Sequence, residues 1–231
     1  MFFFSSFAGY KREDLEHERP SGIALMDDHH LHRRWFRDRK QISYSIGLEP
    51  FGDEIQKSSP LHLELHPFGK GPVLVHNQIT LFETAAIARY LDDVFPGVSL
   101  QPASVYQRAI VDQWCSAISS YVYDTLVKHF LLELTMPKGN NGEIRWTHID
   151  KIKPELQRIF AILHNQLSEQ EYFCSEYYSI ADALLTPILD YLQKLPHCDD
   201  LFQQWPNLLS YINRMQERNN AKNVLIPPDL N

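Results

Sequence analysis

Cysteine is scarce: the 231 residues hold three, Cys115, Cys174 and Cys198, and no Cys-x-x-Cys pair. An odd count without paired spacing excludes a disulfide framework and the ligand pattern of a structural zinc site. It fits reduced thiols in a cytoplasmic protein, buried by default. Long apolar runs are also missing, none approaching the ~20 residues of a membrane span. Positive charge is in deficit, with 22 Lys and Arg against 29 Asp and Glu, a formal charge of -7 and a pI near 5.9. That balance gives no basis for a nucleic acid or an anionic membrane as partner. The apolar start Met1-Phe2-Phe3-Phe4 leads into serines and then charge, without a basic n-region, so a signal peptide is not expected. There is no internal repeat and no low-complexity tract. What is present is a hydrophobic content of 44%, enough to build the core of two small domains or one large one.

The most informative stretch runs from Leu65 to Val94. Val73 to Val75 and Ile79 to Phe82 are two β-prone runs separated by His76, Asn77 and Gln78, which predicts a β-hairpin. A helix follows directly, with Ile87, Tyr90, Leu91 and Val94 at i, i+3, i+4 and i+7, and Thr84 placed as its N-cap. The first N–H groups of such a helix lack intrahelical acceptors, and its dipole favours negative charge. A ligand carboxylate fits beside the Thr84 hydroxyl, with Glu83 holding an ammonium next to it. A carboxylate and an ammonium side by side describe the α-amino acid end of a ligand. Glu and Thr at a helix start equally serve as ordinary caps and dipole partners. Gly71-Pro72 opens the first strand, where a proline needs no ladder N–H. If that bond is cis, as about 5–6% of X-Pro bonds are, the Gly71 backbone becomes available to an extended peptide ligand.

The runs Pro67-Phe68-Gly69-Lys70-Gly71-Pro72-Val73-Leu74 and Leu81-Phe82-Glu83-Thr84-Ala85-Ala86-Ile87-Ala88-Arg89-Tyr90-Leu91 resemble the glutathione transferase family, in its phi-like, bacterial and fungal type. The family pattern is Asn-Pro-Phe-Gly-Gln/Lys-Val/Ile-Pro-x-Leu followed by Glu-Ser/Thr-x-Ala-Ile-x-x-Tyr-Leu. Gly71 departs from the usual Val or Ile. Further along, Gly47-Leu48-Glu49-Pro50 resembles the turn into the second strand, and Ser59-Pro60-Leu61-His62-Leu63 the short helix of the family's Ser-Pro-Glu-His-Leu.

Residues before Ile46 depart from the family. Lys11 to Glu18 and Arg33 to Lys40 carry dense charge of both signs, whereas a helix packed on a sheet shows an apolar stripe. Two alignments are open. In one, Phe2-Phe3-Phe4 is the first strand and Ser5, Ser6 or Tyr10 stands at the thiol position. In the other, the strand is Gly22 to Met26 and the helix His30 to Ile46, which sets Asp28, His29 and His30 at the thiol position. A third possibility is an altered start or splice junction. Asp27-Asp28-His29-His30-x-His32 has metal-ligand residue types, but adjacent histidines on a helix do not converge, and no metal site is expected.

Phe95 to Ser104, with Pro96, Gly97 and Pro102, predicts a linker, and helices fill the rest. Ile110, Trp114, Ala117, Ile118 and Tyr121 begin one long helix running through Phe130 and Leu134, broken over Met136 to Trp146 by Pro137, Gly139 and Gly142. A second helix places Ile152, Leu156, Ile159, Phe160, Leu163 and Leu167 on one face, with Pro154 acceptable near its start. A third opens at Ser179-Ile180-Ala181-Asp182, a capping-box pattern that also resembles the family's folding motif, and carries Ile180, Leu184, Ile188, Tyr191, Leu192 and Leu195. Trp205-Pro206 with Leu209, Ile212, Arg214 and Met215 resembles the last family helix.

The resemblance implies an α/β plus all-α chain. Residues 1–94 would be a thioredoxin-like glutathione-binding domain, atypical over 1–45, followed by a linker over 95–104 and an all-helical domain over 105–231. Glutathione would be the co-substrate, with no metal. Its γ-glutamyl end would lie on Glu83 and Thr84, its cysteinyl backbone on Gly71 and Pro72, and its glycyl carboxylate on Lys70 and Lys57. Trp114, Tyr121 and Tyr123 would wall the pocket for a small electrophile, with helical packing as the competing role for Trp114. A homodimeric cytoplasmic detoxification enzyme follows, binding neither nucleic acid nor membrane. The alternatives are a chain of this fold that has lost catalysis and acts as a binding or interaction module, or an isomerase or dehalogenase using the same glutathione site.

Overall fold

The computed structural model describes residues 23–26, 48–50, 60–76, 78–95, 97–196, 198, 200–218, 221 and 225. The chain divides into two compact units, Met1–Gly97 and Val98–Asn231.

In the first unit β1 (Ile23–Met26), β2 (Leu48–Pro50), β3 (Val73–His76) and β4 (Ile79–Phe82) form one sheet in the order β2-β1-β3-β4. β1 and β2 are parallel, while β3 runs antiparallel to both β1 and β4. This is the thioredoxin-like plan. The strand at Ile23–Met26 is that of the second alignment. Phe2–Phe4, and the helix expected over His30–Ile46, lie outside the described residues. Leu48–Pro50, expected as a turn, is itself a strand; it sits at the sheet edge, where a proline is tolerated. His76, expected in the hairpin turn, is the last residue of β3, paired with Ile79. Its ring Nδ1 and the Tyr90 hydroxyl share a 2.7 Å hydrogen bond that ties the strand to the helix beyond.

Helix α1 (Pro60–Leu65) starts on proline, whose missing N–H is harmless in a first turn. Helix α2 (Thr84–Val94) buries Ile87, Ala88, Leu91 and Asp92. Val94, predicted on the buried face, is exposed, because the helix ends there and the chain turns extended at Phe95.

In the second unit the predicted long helix is one continuous helical run in three parts: α3 (Val105–Ala117), a π-helical segment (Ile118–Leu131) and α4 (Leu132–Thr135). Buried Ile118, Val122, Leu126 and Phe130 recur every four residues. That period is longer than 3.6 and matches an underwound helix. Helix α5 (Trp146–Leu167) starts earlier than predicted, so Pro154 lies inside it rather than near its start. The start is fixed by Glu133, whose buried carboxylate accepts the Arg145 backbone N–H and side-chain N–H groups at 2.6–3.1 Å.

Helix α6 (Ile180–Gln193) is buried on all sides from Ile180 to Asp190, so the predicted stripe understates its burial. It is the core of this unit. The Asp182 carboxylate, fully buried, accepts the Ser179 N–H and hydroxyl at 2.8 Å, the Phe173 N–H at 2.8 Å and the Tyr211 hydroxyl at 3.0 Å. The capping box therefore also anchors the preceding loop and α7 (Pro206–Glu217). The buried face of α7 is Leu208, Tyr211, Ile212 and Met215, with Leu209 half-buried. Among the described residues no helix is long and apolar enough to cross a membrane.

Candidate functional site

The hairpin register assembles the first-unit site. Val73 pairs with Phe82, so Gly71-Pro72, just before β3, and Glu83-Thr84, just after β4, come to the same end of the hairpin. The Gly71–Pro72 bond is cis. Gly71 is half-buried and Pro72 buried, while Lys70 is exposed.

Glu83, not Thr84, is the N-cap. Ile87 donates its N–H to the Glu83 carbonyl at 3.0 Å, which makes Thr84 the first helical residue. The Glu83 side chain makes no capping bond to its own helix, so its carboxylate is not spent there. Its backbone has φ 71° and ψ 119°, a region that costs a residue with a Cβ about 1–3 kcal/mol. Such strain persists where the surroundings over-determine it, typically at binding sites. The first turn of α2 carries no acidic residue. Three features of one place, the positive end of a helix, the carboxylate of a residue with a strained backbone and the peptide edge at half-buried Gly71, can hold an α-amino acid group and an extended backbone.

Two buried histidines, one in α1 and one just past its end, support this end of the unit and were not singled out from the sequence. His62 and His66 are each 1% exposed. His62 Nε2 donates to the Lys70 carbonyl at 2.9 Å. His66, where the family pattern has Asn, accepts the Phe68 N–H on Nδ1 at 3.3 Å, and its ring lies 4.7 Å from that of Phe82. The signal was their i, i+4 spacing within Leu61-His62-Leu63-Glu64-Leu65-His66. Lys57, Ser5, Ser6, Tyr10, and Asp28 to His30 lie outside the described residues.

In the second unit Trp114 and Tyr121 line one groove of about 380 Å³ with Arg158, Ile159, Ile162 and Leu163. Tyr123 is not in its lining, since residues two apart on a helix face different directions. Trp114 is half-buried, its ring edge-on to Phe173 at 5.0 Å, so it packs and lines the groove at once. Tyr121 is 69% exposed. Burial pushes the Cys174 thiol far above the usual thiol range, reinforced by the Asp182 carboxylate, and Cys115 and Cys198 are buried. None of the three offers an accessible thiolate. Among the described residues no three His, Cys, Asp or Glu side chains form a metal site.

Residues 28–93 match the family model of the glutathione S-transferase N-terminal domain, and residues 119–219 that of the C-terminal domain. The chain belongs to the glutathione S-transferase family. Its curated relatives include glutathione S-transferase F12 of Arabidopsis thaliana, 25% identical over 176 residues, which cover 75% of this chain and 82% of that one. A probable glutathione S-transferase of Solanum tuberosum is 28% identical over 185 residues, 77% and 76% of the two chains. Two solved structures share the fold of this glutathione S-transferase. Glutathione S-transferase III in apo form is 22% identical with a TM-score of 0.73, covering 90% of this chain and 99% of that one. Glutathione transferase F7 from Populus trichocarpa is 21% identical with a TM-score of 0.70, covering 87% and 97%. The N-terminal match starts at residue 28, just after β1, so the family pattern leaves the first strand of this transferase unassigned.

Proposed function

We propose that this glutathione S-transferase holds the γ-glutamyl group of glutathione on Glu83 and Thr84 and its cysteinyl backbone on Gly71 and Pro72. Lys70 would pair with the glycyl carboxylate, and the resemblance gives Lys57 the same part. The observation that carries the reading is the meeting of Gly71-Pro72 with the strained Glu83 at the head of α2, set by the Val73–Phe82 pairing. The thiol of the bound tripeptide, with an ordinary value near 8.5, loses its proton to become the nucleophile. The thiolate sulfur then forms a bond to an electrophilic carbon as that carbon's bond to its leaving group breaks. The placement of β1 at Ile23–Met26 supports the alignment in which Asp28, His29 and His30 follow the first strand, so the thiol-activating group is sought there before Ser5, Ser6 and Tyr10.

Trp114 and Tyr121 remain the proposed apolar contacts of the electrophile, while Tyr123 lies outside the groove they line. A cytoplasmic homodimer acting in detoxification accords with the family. Exposed Phe68 is an apolar surface that a second copy would cover. The test is calorimetric titration with glutathione, followed by turnover of a generic aryl halide. Loss of the ammonium contacts, each charge-assisted bond contributing about 1.5–3 kcal/mol, predicts a tenfold to hundredfold weaker affinity for the Glu83→Ala/Thr84→Ala protein. Unchanged affinity refutes the site. Binding without turnover favours the binding-module alternative.

A further inference from the structure

Helix α1 is short, yet His62 within it and His66 just past its end are almost completely buried imidazoles. Burying a polar ring is costly unless its nitrogens are bonded. For His62 the bond is informative about direction. A carbonyl can only accept, so the 2.9 Å contact to the Lys70 oxygen means that His62 Nε2 carries the hydrogen. The Lys70–Gly71 peptide is not the cis one, and in a planar trans peptide the N–H points opposite to the C=O. Tying the Lys70 carbonyl inward to α1 therefore turns the Gly71 N–H outward, away from α1.

We infer that His62 is a positioning residue for glutathione: its Nε2–H fixes the Lys70–Gly71 peptide plane and so presents the Gly71 backbone to the tripeptide. The inference rests on the functional reading above. His66 steadies the same loop from its other end, through the Phe68 N–H and through its ring against Phe82, the residue next to Glu83. The two imidazoles play opposite parts: His62 donates through Nε2, whereas His66 accepts through Nδ1. The His66 ring lies 6.3 Å from that of His62 between ring centres.

The experiment compares wild type, His62→Leu and His62→Gln in the full-length chain, each titrated with glutathione and assayed for turnover with both substrates varied. Leucine removes the donor; glutamine retains an N–H that can reach the Lys70 carbonyl. The expected result is glutathione affinity at least tenfold weaker for His62→Leu and within threefold of wild type for His62→Gln. The electrophile KM and the kcat at saturating glutathione stay within twofold in both. Wild-type affinity in a folded His62→Leu protein overturns the inference, as does a tenfold loss in His62→Gln, which decides the matter even if the leucine variant does not fold. A fall in kcat together with a rise in both KM values, without rescue by glutamine, assigns His62 a merely structural role and also overturns it. Failure of wild type to bind glutathione refutes the functional reading itself, and is distinguished by the first titration.

Discussion

Replacing Glu83 by glycine should raise stability while destroying affinity, and that opposition of signs is the signature of strain held at a binding site. At φ 71° and ψ 119° the Cβ of Glu83 crowds its own backbone at a cost of about 1–3 kcal/mol. Glycine has no Cβ and relieves part of this, though it adds freedom to the unfolded chain that costs about 0.5–1 kcal/mol. The net gain is about 0.5–1.5 kcal/mol, and a chain of this length moves by about 2–4 °C in Tm per kcal/mol. Alanine keeps the Cβ and the strain, so Glu83→Ala should show no gain. Both variants lose the carboxylate and should bind glutathione tenfold to hundredfold more weakly. The comparison of Glu83→Gly with Glu83→Ala in urea denaturation and calorimetry therefore separates strain release from charge removal. A glycine variant no more stable than the alanine variant refutes the strain argument, whatever happens to binding.

Asp182→Ala strips the acceptor from the Phe173 and Ser179 N–H groups and the Tyr211 hydroxyl, all buried. Unsatisfied buried groups cost about 1–3 kcal/mol each, so a loss of about 3–5 kcal/mol is expected as a lower urea midpoint, and a loss below about 1 kcal/mol contradicts the anchoring role. Hydrogen bonds from Arg145 hold the Glu133 carboxyl down to about 2 despite its burial. A depressed folded-state value means the stabilisation is full above the ordinary glutamate value of about 4.3 and fades as pH falls through about 2. Arg145 is partly solvated, so the pair contributes roughly 1–2 kcal/mol. Melting curves of wild type and Glu133→Gln should converge toward pH 2 and separate toward pH 4.5; a constant gap across that range contradicts the assignment.

What the sequence made legible is what a period or a spacing encodes. The hairpin, α2 and the helices of the second unit follow from alternation and 3.6-residue stripes, and the Ser179–Asp182 box from a tetrapeptide. The errors lie where a local rule met a tertiary contact. His76 reads as a turn residue by polarity, but the Tyr90 hydroxyl satisfies it in the strand. Trp146 reads as loop after Gly139 and Gly142, but Glu133, thirteen residues upstream in sequence, binds the Arg145 backbone and starts the helix. The π-helical winding was illegible because a shift from 3.6 toward four residues per turn moves an apolar position by less than about half a residue at each turn.

The same division explains why one half of the proposed site is readable in the sequence and the other is not. The proposed glutathione recognition rests mostly on backbone: a strand opening at Gly71-Pro72, a helix head at Glu83-Thr84, and a register that brings them together. Backbone geometry is carried by spacing, and spacing survives in a single sequence. Thiolate activation needs one donor at one point, and a lone Ser, Tyr or His has no spacing to betray it. The strain at Glu83 falls between these cases: the residue is legible from the motif, its φ is not, because nothing in the side chain calls for a positive value. The demand comes from the site. β4 must end opposite Val73 and α2 must begin one residue later, and a backbone forced out of the ordinary regions at Glu83 makes that turn and leaves its carboxylate off the helix cap, available to the proposed ligand.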